Sequence, residues 1–213
     1  MKNIYISDMA YDSLKKYLKT EGYKLVNITL YNVYPSIKNH PDLLICHLGS
    51  EIYYGNPSNV GNKYPYDIPY NCAVTGKFFI HNLKYTDKKL MKRASELEMT
   101  FINVRQGYTK CNIVVVSKDA IITSDMGIYK ATKDFLKVLL VEPGQVQLPG
   151  MNTGFLGGAS GRINNKILFN GDLRAHSDFK RIVEFIKAEG LEPVWFEGYP
   201  LLDIGSIISE EKF

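Results

Sequence analysis

Several features that would point to a function class are scarce or missing in these 213 residues. No apolar run approaches the roughly 20 residues that span a bilayer, and the first residues lack the basic and then apolar stretches of a secretory signal. The cysteines are odd in number, widely spaced and without a C-x-x-C pair, so free thiols in a reducing compartment are expected. These absences favour a cytoplasmic protein without membrane segments. The cysteines are Cys46, Cys72 and Cys111.

The net charge is also small. The chain has 26 Lys and Arg and 22 Asp and Glu, which gives a formal net charge of +4. No cluster of Lys and Arg resembles a nucleic-acid-binding patch, so nucleic acid is not an expected partner. The histidines lack the spacing of metal ligands, so neither a metal ion nor a cofactor is predicted. Composition leaves the oligomeric state open. The histidines are His40, His47, His81 and His176.

What the chain does contain is a short repeated pattern, in which an apolar strand runs into a helical segment. A repeat of this kind decides the architecture before any other feature. The four copies are KNIYISDM (2–9), KFFIHNL (77–83), DAIITSDM (119–126) and KILFNGDL (166–173).

Helical periodicity follows each copy, and a short strand and a turn follow each helix. Thr86 and Ser177 are predicted to cap the second and fourth helices. The predicted helices cover residues 11–21, 87–98, 129–139 and 178–189, and the strands after them cover 23–28, 100–104, 145–148 and 192–196.

The predicted unit is therefore strand, strand, helix, strand, and the chain contains five of them in a single domain, 1–213. One unit lacks its helix, because Gly55–Pro69 is rich in Gly, Pro and Asn and cannot propagate one. The chain begins on a leading strand, Ile4–Ser7, and ends on the strand expected to pair with it, Leu202–Ile208. That pairing would close the units into a ring and hide both sheet edges.

Three runs carry a resemblance to a known fold: HPDLLICHLGSEIYYG, QGYTKCNIVVVSKDAIITSDMGIYKA and GFLGGASGRINNKILFNGDL. They resemble an uncharacterised bacterial family with the pentein fold, a five-bladed αβ-propeller with pseudo-fivefold symmetry. Guanidino-group-modifying enzymes and the ribosomal-subunit anti-association factor share that fold. The resemblance covers nearly the whole chain and implies the fold, whereas fold alone does not imply an activity.

The catalytic groups of those enzymes are missing where the resemblance would place them. Catalytic penteins use a Cys on the last inner strand and a His-x-Asp or His-x-Glu segment in the unit before it. Here the last inner strand, 200–208, has no Cys, and the segment 153–161 has neither His nor Asp. Standard deiminase or amidinotransferase chemistry is therefore not expected, and whether the chain is an enzyme stays open.

Cys111 is the candidate for a relocated nucleophile, because Arg105 and Lys110 precede it and could lower its pKa. A buried structural thiol is the competing interpretation. Cys46 and His47 are neighbours on a strand and should face opposite sides. The predicted ligand-binding residues, from inner strands that would meet at the axis, are Cys46, His47, Arg105, Lys110, Asn112 and Asp203.

Three hypotheses remain for the function. The first is a binding protein without guanidine-hydrolase activity, which would bind a small molecule at the propeller axis or a macromolecule. The alternative is a hydrolase or transferase for guanidino or amine compounds with Cys111 as nucleophile. The third is a factor associated with the ribosome or another protein, an analogy that rests on the fold, and the small net charge gives it little support.

Overall fold

The structure is a computed structural model of the chain and describes residues 2–211. The strands are β1 (Asn3–Tyr5), β2 (Lys24–Val26), β3 (Ile45–Leu48), β4 (Glu51–Tyr54), β5 (Ala73–Thr75), β6 (Phe78–His81), β7 (Thr100–Asn103), β8 (Ile113–Ser117), β9 (Ala120–Thr123), β10 (Lys137–Leu140), β11 (Ser160–Ile163), β12 (Lys166–Phe169), β13 (Glu192–Val194) and β14 (Ile208–Ser209). The α-helices are α1 (Asp12–Thr20), α2 (Lys88–Glu96), α3 (Thr109–Asn112), α4 (Met126–Thr132) and α5 (Phe179–Ala188).

These strands form five small sheets with one recurring plan. Four sheets have three strands: β14-β1-β2, β5-β6-β7, β8-β9-β10 and β11-β12-β13. The first pair in each is antiparallel, and the second pair is parallel across a helix. The predicted repeat of strand, strand, helix, strand is confirmed at this level, and it fits a propeller-like arrangement.

The remaining sheet has two described strands, β3 and β4, and the helix-poor segment follows it. Within Gly55–Pro69 the structure forms a 3₁₀ turn at Pro57–Asn59 and no α-helix, as its composition predicts.

The predicted pairing of the first and last strands is present. Ile4 lies opposite Ser209 and Tyr5 opposite Ile208 in an antiparallel pair. Beyond β14, the Glu210 carboxylate accepts hydrogen bonds from the backbone N–H of Asn3 at 2.9 Å and from its side-chain amide at 2.8 Å. The two ends of the described chain are thus joined by backbone and side-chain bonds.

The core lies between the strands and the outer helices, and it also joins neighbouring units. Helix α5, for example, buries Ile182 and Ile186 in the same cluster as Phe169 of β12. The first strands of successive units contact one another, in the order β3, β5, β8, β11 and β14. None of the helices within residues 2–211 is long and apolar enough to cross a membrane.

The third predicted helix, 129–139, and the strand predicted after it, 145–148, are wrong. Helix α4 ends at Thr132, and the parallel partner of β9 is β10, Lys137–Leu140. Phe135, which the helical pattern over 129–139 predicts on the buried face, is 59% exposed. The predicted range 129–139 covers the end of a short helix, a turn and the start of a strand. Apolar residues four positions apart fit both a helix and a strand, so the pattern did not show where the helix ends.

Two predicted helix caps are also wrong, and side-chain bonding gives the reason. The Thr86 hydroxyl is bonded to His81 Nδ1 at 2.7 Å, and Asp87 caps α2 in its place. The Ser177 hydroxyl accepts a bond from the Gln145 amide, and α5 begins one residue later, after Asp178.

The repeat pattern predicts Cys46, Cys72 and Cys111 on inner strands, and the structure agrees only for Cys46. Cys46 does lie on β3, but Cys72 precedes β5 and Cys111 lies in α3, just before β8. All are free and buried.

Candidate functional site

Side chains from three distant parts of the chain meet in one buried group. The contributing segments are the turn before β3, helix α3 before β8, and the stretch before β14. Each segment leads into the first strand of a unit, so the repeat itself brings the segments together. We call this group the buried cluster, and it consists of His40, Asp42, Lys110, Cys111, Asp203 and Ser206.

The Asp42 carboxylate is at the centre of the cluster. It belongs to a 3₁₀ turn, Pro41–Leu43, whose Asp42 N–H donates to Gly205 O at 3.2 Å. Asp42 Oδ2 accepts bonds from Cys111 Sγ at 2.9 Å and from Ser206 Oγ at 2.8 Å, whereas Oδ1 has no hydrogen-bond partner among residues 2–211. Burial raises the pKa of this carboxyl, against the opposing influence of His40.

Cys111 is held as a protonated donor beside this carboxylate. Asn71 fixes the start of α3, because its side-chain oxygen accepts the N–H groups of Lys110 and Cys111 and its amide nitrogen lies 3.4 Å from Sγ. Burial, and then the negative charges of Asp42 and Asp203, raise the pKa of the Cys111 thiol well above its usual value. The resting group is therefore a thiol rather than a thiolate.

Lys110 is linked to the carboxylates through a serine. Its Nζ donates to Ser206 Oγ at 3.1 Å, and that hydroxyl lies against Asp42 Oδ2. Burial lowers the pKa of Lys110, while the charges of Asp42, Cys111 and Asp203 counteract the shift. Ser206 has a positive φ of 70°, directly after Gly205 at 69°, so this turn has the left-handed backbone that directs the hydroxyl inward.

Asp203 and His40 form the other side of the cluster. Asp203 accepts the N–H groups of Phe155 and Gly205, both at 2.9 Å, and burial raises its pKa to about 6. His40 Nδ1 lies 3.9 Å from Asp203 Oδ1, and its Nε2 has no hydrogen-bond partner in the part of the chain that the structure describes. Burial lowers the pKa of His40 to about 4, so the ring is neutral near neutral pH.

A cavity of about 220 Å³ lies against the cluster, and we call it the main cavity. Its walls are mostly apolar, and His40, Cys111 and Asp203 are the cluster members that reach it. The other lining residues are Ile37, Tyr108, Leu148, Met151, Asn152, Thr153 and Phe155.

The glycine-rich segment 154–161 allows this close packing. A Cβ on Gly158 would lie 2.0 Å from Asp203 Oδ1, and one on Gly157 would lie 2.6 Å from Cys111 O. These positions need glycine because carboxylate and backbone approach them closely.

The structure brings some of the predicted site residues together and separates others. Lys110, Cys111 and Asp203 meet in the cluster. Cys46 and His47 line a different, smaller pocket of about 30 Å³, which Lys110 also borders. Burial and the charge of Lys110 lower the pKa of His47 to about 4.

Two other predicted residues lie apart from the main cavity. The Arg105 side chain is exposed, and its carbonyl accepts a bond from Asn82. Asn112 is buried, but it is not among the residues that line the cavity.

Sequence analysis missed His40 and Asp42, although a signal was present. His40-Pro41-Asp42 has the His-x-Asp spacing that was sought in 153–161, but it lies in front of β3. Ser206 had no visible base partner in the sequence, and the structure supplies Asp42 and Lys110. Donor atoms of His40, Asp42 and Cys111 all lie within 4.8 Å of one another, a set that could hold a metal ion.

Comparison with known proteins yields one match. Residues 51–208 match the model of a protein family described as "Family of unknown function (DUF6873)". No curated protein and no solved structure matches the chain.

Proposed function

Because the chain belongs to the DUF6873 family, whose description gives no function, we propose from the site itself that this protein binds a small organic cation in the main cavity. One observation carries the proposal: a mostly apolar cavity is in contact with a buried cluster that has more negative than positive groups. The ligand class this favours is a compact ammonium or guanidinium compound with an apolar part.

The charge balance of the cluster favours a cation. Asp42 and Asp203 supply two carboxylates, and Lys110 supplies one ammonium group. The His40 ring and the Cys111 thiol are neutral near neutral pH. With both carboxyl groups ionised, the cluster has one unmatched negative charge, and because burial raises the pKa of Asp42 and Asp203, that charge calls for a bound cation or a proton.

The cavity walls favour a ligand with an apolar part. Ile37, Leu148, Met151 and Phe155 line the cavity, and Tyr108 adds an aromatic wall. A cation that enters would bury hydrocarbon against these side chains while its charged end faces Asp203. Such a combination of apolar walls with a few convergent polar groups is typical of small-molecule sites.

We also infer that the five units form a closed ring of the pentein type, with the cluster near its axis. The pairing of β1 with β14, and the contact of β14 with β3, support this inference. A ring would explain why segments that lead into β3, β8 and β14 meet in one place.

Calorimetry on metal-free protein tests the binding proposal. Methylguanidine and butylamine should bind, whereas the neutral analogues methylurea and butanol should not. Asp203→Asn should abolish binding, and Asp172→Asn, which removes a surface carboxylate paired with Arg174, should leave it unchanged. Met151→Trp should block the cavity from its partly exposed side.

Equal binding of the neutral analogues, or unchanged binding by a folded Asp203→Asn protein, would contradict the proposal. A cooperative thermal melt of each variant shows that a loss of binding does not reflect misfolding.

One observation favours a second candidate, a thiol-dependent hydrolase or transferase for guanidino or amine compounds. His40, Asp42 and Cys111 lie close enough to act together as base, orienting carboxylate and nucleophile. The raised pKa of the thiol disfavours this candidate. We expect no release of citrulline or ammonia from arginine, agmatine or dimethylarginine. If the wild-type protein released citrulline or ammonia and Cys111→Ser did not, the enzyme hypothesis would replace the binding proposal.

A further inference from the structure

We propose that His40, Asp42 and Cys111 form a binding site for a divalent transition metal of the zinc class. Imidazole, carboxylate and thiolate are donors that zinc accepts, and three protein donors leave a fourth position for another ligand. Both proposals involve the buried cluster, but they are tested separately, because metal binding is read from cobalt absorption and organic-cation binding from calorimetry on metal-free protein.

Donor geometry is the first argument. The three donor atoms lie within 4.8 Å of one another, and Cys111 Sγ is 2.9 Å from Asp42 Oδ2. Tetrahedral bonds of about 2.3 Å to sulfur and about 2.0 Å to oxygen place the two donors roughly 3.5 Å apart, so Sγ and the carboxylate would separate slightly as the metal replaces their hydrogen bond. All three residues are buried, unlike the exposed acidic groups that lie close together by chance.

Unpartnered atoms are the second argument. His40 Nε2 and Asp42 Oδ1 have no hydrogen-bond partner within the described chain, although both side chains are buried. Leaving such atoms without a partner costs free energy, so buried polar atoms are nearly always satisfied. A metal ion that took these two atoms as its oxygen and nitrogen donors, together with Sγ, would satisfy both.

The surroundings of the donors are the third argument. His40 Nδ1 faces Asp203 Oδ1 at 3.9 Å, and this leaves Nε2 as the ring nitrogen for the metal. Metal-bound histidines commonly have a carboxylate on their other nitrogen. Asn71 lies against the thiol at 3.4 Å, and Ser206 donates to Asp42 Oδ2, the oxygen that Cys111 also contacts.

An open coordination position would face the main cavity, because His40 and Cys111 both line it. On binding, the Cys111 thiol loses its proton to solvent and the thiolate forms the metal–sulfur bond, so one proton is released from this group for each ion bound. The added charge of the metal outweighs the negative charge of the cluster. Metal loading should therefore weaken the binding of organic cations.

Cobalt replaces zinc as the probe, since its thiolate complexes absorb in the near ultraviolet and its d–d bands report a tetrahedral site. Metal-free full-length protein titrated with Co²⁺ should develop these bands to a stoichiometry of one, and Zn²⁺ should remove them. Cys111→Ser should abolish the sulfur band. Asp203→Asn should weaken Co²⁺ affinity by about 10- to 100-fold while keeping the band.

Cys46→Ser and Cys72→Ser are matched controls, because both remove a buried thiol outside the proposed site and should leave the band intact. X-ray absorption of the wild-type zinc complex needs no variant and should show one sulfur at about 2.3 Å. Two sulfurs, a band that survives Cys111→Ser, or no stoichiometric Co²⁺ binding would each overturn the proposal. None of these results bears on the calorimetric test of organic cations in metal-free protein.

Discussion

The thiol of Cys111 lies in surroundings that keep it protonated. Burial and the charges of Asp42 and Asp203 raise its pKa, and its proton is donated to Asp42. The thiolate fraction falls about tenfold for each unit by which the pKa rises. Chemistry that requires a resting thiolate is therefore disfavoured, whereas metal binding, which displaces the proton, is not.

We accordingly predict slow alkylation of Cys111. In metal-free protein at neutral pH, iodoacetamide should modify it more than about tenfold slower than in the unfolded chain, as followed by peptide mass spectrometry. Cys46, whose pKa is also raised well above its usual value, serves as an internal reference. A folded protein in which Cys111 titrates below about 8.5 and reacts faster than Cys46 would contradict this prediction.

His81 should make stability depend on pH. Both of its ring nitrogens are bonded, to Thr86 and to Gly107 O, and burial lowers its pKa from 6.5 to about 4. The unfolded chain therefore takes up the proton first as the pH falls. The contribution of His81 is fully present above pH 6.5 and is lost as the pH falls to about 4, a decrease on the order of 3 kcal/mol.

Denaturant unfolding of wild type and His81→Asn at pH 7 and pH 4.5 checks this prediction. The variant should be less stable at pH 7 and should lose less stability on acidification. The other histidines whose pKa is lowered, His40, His47 and His176, are present in both proteins, so their contributions cancel in the comparison. The same pH dependence in both proteins would show that His81 does not act in this way.

At the level of residues, the sequence indicated some members of the site and missed others for a physical reason. Lys110 and Cys111 are adjacent and polar at the start of a strand, so local pattern singles them out. The partners of Cys111 are Asp42 and Asn71, which lie 69 and 40 positions away. Only the tertiary structure brings those groups to Cys111, because the His40-Pro41-Asp42 spacing marks Asp42 as a candidate residue without showing which thiol it contacts.

Among the elements, the glycine-rich segment 154–161 is the one on which the site depends. Gly158→Ala should destabilise the protein by about 1–3 kcal/mol, because the new methyl group would overlap the Asp203 carboxylate. The substitution should also lower the affinity for any ligand that contacts Asp203. Gly127→Ala, whose methyl group would meet only the side chain of Asp125 at 3.0 Å, is the control and should be nearly neutral. Equal melting temperatures for the two variants would contradict the close contact between Gly158 and the Asp203 carboxylate.

The predicted and observed helices show how far apolar periodicity locates the ends of an element. Amphipathic segments with clear flanks, such as α2 and α5, were predicted to within two residues. The error at 129–139 arose because α4 is only seven residues long and β10 follows after a four-residue turn. When one stretch of sequence includes the helix, the turn and part of the strand, its apolar spacing does not distinguish the helical period from the strand period.

On the scale of the whole molecule, the repeat was recognisable because each unit carries the same apolar strand before its helix. The pairing of the first and last strands was predicted from the phase of the repeat, since the chain begins and ends within a unit. The cavity was not predictable in the same way, because its walls come from four separate segments of the chain, around residues 37–40, 108–111, 148–155 and 203.

The last strand should be essential for cooperative folding. β14 pairs with β1 and contacts β11, and Ile207 and Ile208 are buried against different units. Removing residues 207–213 would leave β1 with an unpaired edge and would expose apolar surface of two clusters. The truncated protein should lose its cooperative melt and bind a hydrophobic dye, as expected for a molten state.

A matched truncation that removes only residues 212 and 213 leaves β14 and the bonds of Glu210 in place, so its melt should match that of the full chain. The comparison separates the loss of a paired strand from the mere shortening of the chain. If the longer truncation melts cooperatively at nearly the same temperature, the pairing of the two ends is not what holds the units together. The buried cluster would then be positioned by contacts between neighbouring units alone, and Ser206, which remains in the truncated chain, should still bind Lys110.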